Sequence, residues 1–312
     1  MFDLDGYLER IGLAGRPSIA EVHLAHSTSI PFENLDPHRG VEVSLTAEDL
    51  FDKLVSRRRW GYCFEQNLLL AAALQALGWN VELFLARVLY RAPAGVVRPR
   101  SHLLLRVDDG NGIWHADVGF GQGTLLDPIP FGPGEEHNQQ GWRYRVIDRG
   151  PEHVLQQSEE DGWVDLYAYI PHPCPPIDIE AINWWVCTNP GSPFVTGLVV
   201  TIQDAQGKRS VLSDWGGELT LSERTPTGTS ATPVTMEMVP GLLEERFGLR
   251  GFELDGERRP ARGLTAMSDR IRASWQPAQA HRARRPSWGP VTPSTAASSN
   301  GLEPAHPDPH TS

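Results

Sequence analysis

The densest group of reactive side chains is Arg59-Trp60-Gly61-Tyr62-Cys63-Phe64-Glu65-Gln66-Asn67. A thiol attacks as its thiolate, and at an ordinary pKa little of a cysteine is ionised near neutral pH. Cys63 falls at the first turn expected of a long apolar helix. Unpaired N–H groups and the helix dipole favour the anion there. Gly61 permits a close backbone approach just before it. Such a nucleophile needs a base, and the base needs an orienter. Of the eleven histidines, most lie in loops or, like His281, His306 and His310, in a C-terminal stretch with no expected role. His102 opens an apolar strand beside Ser101, and Asp117 ends the next strand. Asp108-Asp109-Gly110-Asn111-Gly112 joins the two as a hairpin. The hairpin sets His102 and Asp117 at one rim, where a His–Asp hydrogen bond is permitted. Each residue also has a plainer reading: a small buried hydrophobe for Cys63, a packing residue for His102.

The elements that must position these groups follow from periodicity. Tyr7, Leu8 and Ile11 recur at helical spacing. Ser18 and Glu21 form a capping box opening a helix to about His26. The segment Ile30 to Asp36 reads as a loop. Thr46 caps a helix predicted over Ala47 to Arg58, and a buried helix is predicted from Cys63 to Gly78. Strands then follow over Val81–Tyr90, Ser101–Val107, Gly112–Val118, Trp142–Asp148, Trp163–Ile170 and Thr196–Asp204. Further strands are expected near Val211 and over Gly217–Leu221, with a helix over Pro240–Phe247. Trp184-Trp185 reads as barrel or interdomain packing. From about Gln276 the chain turns Pro-, Ser-, Arg- and His-rich and is expected to be disordered.

The chain has 312 residues and a net charge of −11. That balance argues against bulk affinity for nucleic acid or an anionic membrane. Three widely spaced cysteines make neither a disulfide framework nor a zinc pattern, so no metal is expected. The acidic N-terminus and the lack of a long apolar run lead us to expect a cytoplasmic protein.

The chain resembles the arylamine N-acetyltransferases from about Phe2 to Gly251. The matching blocks are Tyr7-Leu8-Glu9-Arg10-Ile11-Gly12, Ile30 to Leu35, and Arg59-x-Gly61-Tyr62-Cys63-Phe64-Glu65-x-Asn67. Ala86-Arg87-Val88, His102-Leu103-Leu104-Leu105, Asp117 to Gly121, and Asn189-Pro190-x-Ser192-Pro193-Phe194 complete the series. The resemblance implies an α+β fold in three parts with a cysteine-protease-like Cys-His-Asp core. A helical bundle would span 1–80 and carry the nucleophile. A β-barrel over 81–200 would carry histidine and aspartate, an α/β lid would cover 201–275, and the tail would run from 276 to 312. The family triad positions fall on Cys63, His102 and Asp117. The implied activity is ping-pong transfer of acetyl from acetyl-CoA, through acetyl-cysteine, to a small arylamine, arylhydroxylamine or hydrazine.

Arg98, Arg100 and Ser101 would meet the phosphates or pantetheine of CoA, or belong to a solvated loop. Phe32, Trp60 and Phe120 are the expected pocket side chains. Trp60 replaces the first glycine of the family's usual Gly-Gly, and a large ring there would narrow the entrance or change the acceptor. Arg59, Glu33 and Asn34 would pair with one another behind the catalytic turn. Three rivals share these motifs: an amide synthase closing macrolactams in polyketide biosynthesis, a Cys-His-Asp hydrolase or transglutaminase-like enzyme, and a binding protein that keeps the fold. Oligomeric state is left open.

Overall fold

Capping residues set the limits of the N-terminal helices. The computed structural model describes residues 2–93, 95–215 and 217–250. The expected tail and the last part of the expected lid lie outside the described residues. Helix α1 (Leu4–Arg10) is capped by Asp3. Helix α2 (Ile19–Ser29) opens on the Ser18–Glu21 box, with Ser18 N–H donating to Glu21 Oε2 at 2.7 Å. The stretch read as a loop holds a two-residue strand β1 (Phe32–Glu33) and a short helix α3 (Leu35–His38). Thr46 caps α4 (Ala47–Phe51), but the helix expected to reach Arg58 widens into a π turn over Asp52–Ser56. That turn buries Lys53 with Leu54 and Val55. Helix α5 (Cys63–Ala76) is buried nearly all round and ends before Gly78, whose φ of +92° suits the C′ position.

Eight strands follow: β2 (Asn80–Val88), β3 (His102–Asp108), β4 (Ile113–Ala116), β5 (Ile129–Pro130), β6 (His137–Gln139), β7 (Trp142–Arg149), β8 (Glu152–Glu159) and β9 (Gly162–Tyr169). They form one antiparallel sheet in the order β5-β4-β3-β2-β9-β8-β7-β6, curled into a near-closed barrel. Within it β3 and β4 form the expected hairpin, Leu105 facing Ala116 and Asp108 facing Ile113. The apolar side of α5 packs with Leu105, Val107, Ala116 and Val118 of that hairpin in one core, which holds bundle and barrel together.

The chain then departs from the strand pattern. Helix α6 (Pro176–Thr188) and the short α7 (Pro193–Thr196) follow the barrel. Proline in the first turn and Asp178 near the positive end favour the α6 start. Trp184 and Trp185 lie on α6, the former half exposed and the latter packed into a core with Tyr62 and Cys63. A second antiparallel sheet comprises β10 (Val199–Gln203), β11 (Arg209–Ser213), β12 (Thr220–Thr225) and β13 (Gly228–Pro233), covered by α8 (Val239–Glu245). Its edge strand is β1, with Phe32 facing Thr201. The N-terminal third thus supplies one strand of the C-terminal sheet. Bundle, barrel and sheet-plus-helix make the three-part α+β fold. Among the described residues no helix is long and apolar enough to cross a membrane.

Candidate active site

Cys63 is the first residue of α5 and only 2 % exposed. Tyr62 N–H just before it donates to Glu65 Oε2 at 3.0 Å, which fixes the helix start. The Cys63 thiol donates to the Ser101 carbonyl at 3.7 Å. Gly119, two residues past Asp117, presses on the same turn. A Cβ there would stand 2.8 Å from Cys63 Cα and 2.8 Å from Asn67 Nδ2, so only glycine fits. Cys63 therefore meets the start of the His102 strand through its thiol and the Asp117 loop through its backbone.

His102 Nε2–H donates to Asp117 Oδ2 at 2.7 Å, which leaves Nδ1 as the nitrogen available to another group. The two residues flanking His102 both bear on the sulfur, Ser101 through its carbonyl and Leu103 through its N–H. Asp117 accepts three further bonds: Tyr167 OH to Oδ2 at 2.8 Å, and Asn67 Nδ2 and Gly119 N–H to Oδ1 at 2.9 Å each. Burial alone would raise its pKa. The electrostatic pull and hydrogen bond of His102, with the Asn67 and Gly119 donors, outweigh burial and hold the carboxyl well below the usual range. Tyr167 stays a phenol, because burial and the adjacent Asp117 charge push its pKa well above the ordinary value. His115 Nε2 lies 2.7 Å from the Tyr167 hydroxyl, and burial lowers its pKa to about 4, so it is neutral.

The thiol departs from the expectation drawn from its helix position. Burial and the Asp117 charge push its pKa well above the ordinary cysteine value, against the opposing pull of the Leu103 and Phe64 N–H groups. A lone thiolate is disfavoured here. Moving the proton to a neighbouring imidazole keeps the net charge of the buried set unchanged.

Asn67 lies one turn along α5 from Cys63. It donates to the Leu103 carbonyl at 2.7 Å and to Asp117, and accepts from Val118 N–H at 3.1 Å. One amide thus ties the Cys63 helix, the His102 strand and the Asp117 loop. The sequence block contained Asn67, but no role was read for it. Tyr167, His115 and His23 were missed altogether. His23 Nε2 accepts from Asp117 N–H at 3.1 Å, and its Nδ1–H donates to the Leu126 carbonyl at 2.9 Å. No local motif marks Tyr167 or His23, because β9 and α2 approach the site only in the folded chain; His115 adjoins Asp117 on β4, but its partner Tyr167 is 52 residues away.

Behind the turn the expected Arg59–Glu33 pair is present at 3.1 Å, and Arg59 also meets Asp36 at 2.9 Å. Asn34 does not join them. It donates to the Phe194 and Gly197 carbonyls and accepts from Val199 N–H, pinning α7 and β10. Lys53, buried by the π turn, bridges Asp36 and Glu65 at 2.6 Å each. Burial, only partly offset by Lys53, pushes Glu65 up to about 7.

Phe120 stands edge-on to the His102 ring at 5.2 Å. Phe32 lies beside the same loop, 3.4 Å from where a Cβ on Gly121 would sit. Trp60 is elsewhere. Its ring is buried with Leu35, Val200, Leu212 and Leu243, 6.1 Å from Phe247, so its bulk fills the core under the C-terminal sheet. Arg98 spends its guanidinium on the Tyr90 and Arg91 carbonyls of its own loop. Arg100 is half-buried, and its Nε has no hydrogen-bond partner among the described residues.

A family profile described as N-acetyltransferase matches residues 17–253. The arylamine N-acetyltransferase of Mycolicibacterium smegmatis is 44 % identical over 209 residues, 64 % of this chain and 76 % of that protein. That of Mycobacterium tuberculosis H37Rv is 36 % identical over 271 residues, 82 % of this chain and 92 % of its own. Among solved structures, the Mycobacterium marinum arylamine N-acetyltransferase in complex with CoA superposes with a TM-score of 0.74 at 36 % identity, covering 79 % of this chain and 92 % of that one. With a matching profile over most of its length, near-full-length relatives and a shared fold, the chain belongs to the arylamine N-acetyltransferase family and is a transferase.

Proposed function

We propose that the protein moves an acetyl group from acetyl-CoA to an arylamine, arylhydroxylamine or hydrazine through an acetyl-Cys63 intermediate. The observation that carries this reading is the buried 2.7 Å His102–Asp117 bond, set where both neighbours of His102 bear on the Cys63 sulfur. His102 Nδ1 takes the thiol proton as the sulfur attacks the thioester carbonyl, and Asp117 stabilises the imidazolium. Backbone N–H groups at the start of α5, beside the sulfur, would stabilise the developing oxyanion. The carbon–sulfur bond to CoA breaks, and the CoA sulfur leaves with the proton from His102. The amine then attacks acetyl-Cys63 and gives its proton to His102, and Cys63 leaves and is reprotonated.

CoA as donor is supported by the M. marinum relative, which was solved in complex with CoA. Of the basic residues before His102, Arg100 is the better candidate for its phosphates, because Arg98 is engaged within its own loop. The test is a matrix of acetyl-, propionyl- and malonyl-CoA against anilines, hydrazines and anthranilates, with free CoA measured. Amine-dependent CoA release with acetyl-CoA and an aniline is expected. Rapid release without any amine would instead mark a hydrolase, and inertness toward every CoA thioester would point to a carrier-bound acyl donor.

A further inference from the structure

The loop Gly119–Thr124 leads away from Asp117 and carries Phe120, whose ring packs on His102 at 5.2 Å and on Tyr167 at 5.1 Å. The loop contains three glycines and makes few bonds of its own. Side chains from other elements hold its carbonyls. Arg209 of β11 donates from Nη1 to Gln122 O at 3.1 Å and from Nη2 to Thr124 O at 3.2 Å. The Tyr144 hydroxyl lies 3.4 Å from Gly123 O and itself accepts from Arg209 Nη2.

Arg209 is only 1 % exposed and stacks over the Trp142 ring at 4.1 Å. Among the described residues its remaining hydrogen bond goes to Gln157 Oε1 at 2.9 Å. Every one of these partners is neutral. A buried cation without a carboxylate is costly, and burial works against its charge. The planar fork explains the residue type: it reaches two loop carbonyls, a barrel amide and a barrel hydroxyl at once, which a point-charge lysine cannot do.

We propose that Arg209 is a positioning residue for acceptor choice, holding the Gly119–Thr124 loop so that Phe120 stands at a fixed place beside the catalytic imidazole. The C-terminal sheet then sets which amines reach the acyl-cysteine, although it supplies no triad member. The inference rests on the acyl-cysteine reading above.

The experiment separates the two half-reactions. Acylation is followed as the CoA released when enzyme meets acetyl-CoA without amine. Acceptor choice is the ratio of kcat/KM for aniline to that for a bulky para-substituted aniline. Arg209→Lys should shift that ratio by about fivefold or more, with acylation within about twofold of wild type. Tyr144→Phe keeps its ring and loses the hydroxyl that ties Arg209 to the loop. It should shift the ratio in the same direction by less, and it decides the matter if Arg209→Lys does not fold. Leu212→Ala lies on the same strand but in the core with Trp60. It should lower Tm and leave the ratio alone. An unchanged ratio in the folded variants, or an equal shift in Leu212→Ala, overturns the positioning role. Failure of wild type to form any acyl-enzyme would overturn the underlying reading instead.

Discussion

Asp117 accepts four hydrogen bonds, from β3, β9, α5 and its own loop. One of these, from His102, follows from its place on one hairpin with Asp117 and was legible; Gly119 is near in sequence, but nothing in its residue type announces its bond. The other two come from Asn67 and Tyr167, whose distance in sequence hides them. Asn67 is the more exacting, since it also serves Leu103 and Val118. Asn67→Ala strands a buried carbonyl and a buried N–H, and should cost about 2–4 kcal/mol in urea unfolding. It should also slow acylation at least about tenfold. Unchanged stability would mean that water or a relaxed backbone replaces the amide. Cys63 shows the limit of local reading. Its helix-start position suggested a lowered pKa, but burial beside Asp117 dominates.

At the level of elements, capping residues and the hairpin turn were readable because they act over three or four residues. The α2 box, the Thr46 cap and the β3–β4 register all follow local chemistry. Helix α6 was not readable from periodicity, since its Ile-, Trp- and Val-rich stretch suits a strand equally well. The π turn was also invisible, and so was Lys53's place in a buried ion network. The contact between Gly119 and the first turn of α5 is the tightest join between elements at the site. Gly119→Ala should drive the Asp117 loop off Cys63 and reduce the acylation burst by about a hundredfold or more. A burst of normal amplitude and rate would show that the loop yields without disturbing Cys63, His102 and Asp117.

Over the whole molecule, bundle and C-terminal sheet are stitched through β1, Asn34 and the Arg59–Glu33–Asp36–Lys53–Glu65 network beneath the Cys63 turn. Arg59 and Glu33 were legible as a pair. Asn34, expected to join them, instead fastens the start of β10 because the chain brings Val199 beside it. Trp60 faces the core for a similar reason: β10 and α8 close over it. The network also carries a pH signature. Glu65 has a folded pKa of about 7 against an ordinary 4.5, so the fold prefers its protonated form. The stability it lends is full below about pH 4.5 and is lost as pH rises through about 7. The stability of wild type minus that of Glu65→Gln should therefore fall by about 1–3 kcal/mol between about pH 5 and pH 8. A constant difference would place the proton elsewhere in the network. Peptide mass spectrometry after exposure to acetyl-CoA reads the proposed acyl-cysteine itself. One acetyl group is expected on the Cys63 peptide, discharged by an added arylamine and absent from Cys63→Ser. Acetylation of Cys174 or Cys187 instead, or normal turnover by Cys63→Ser, would contradict it.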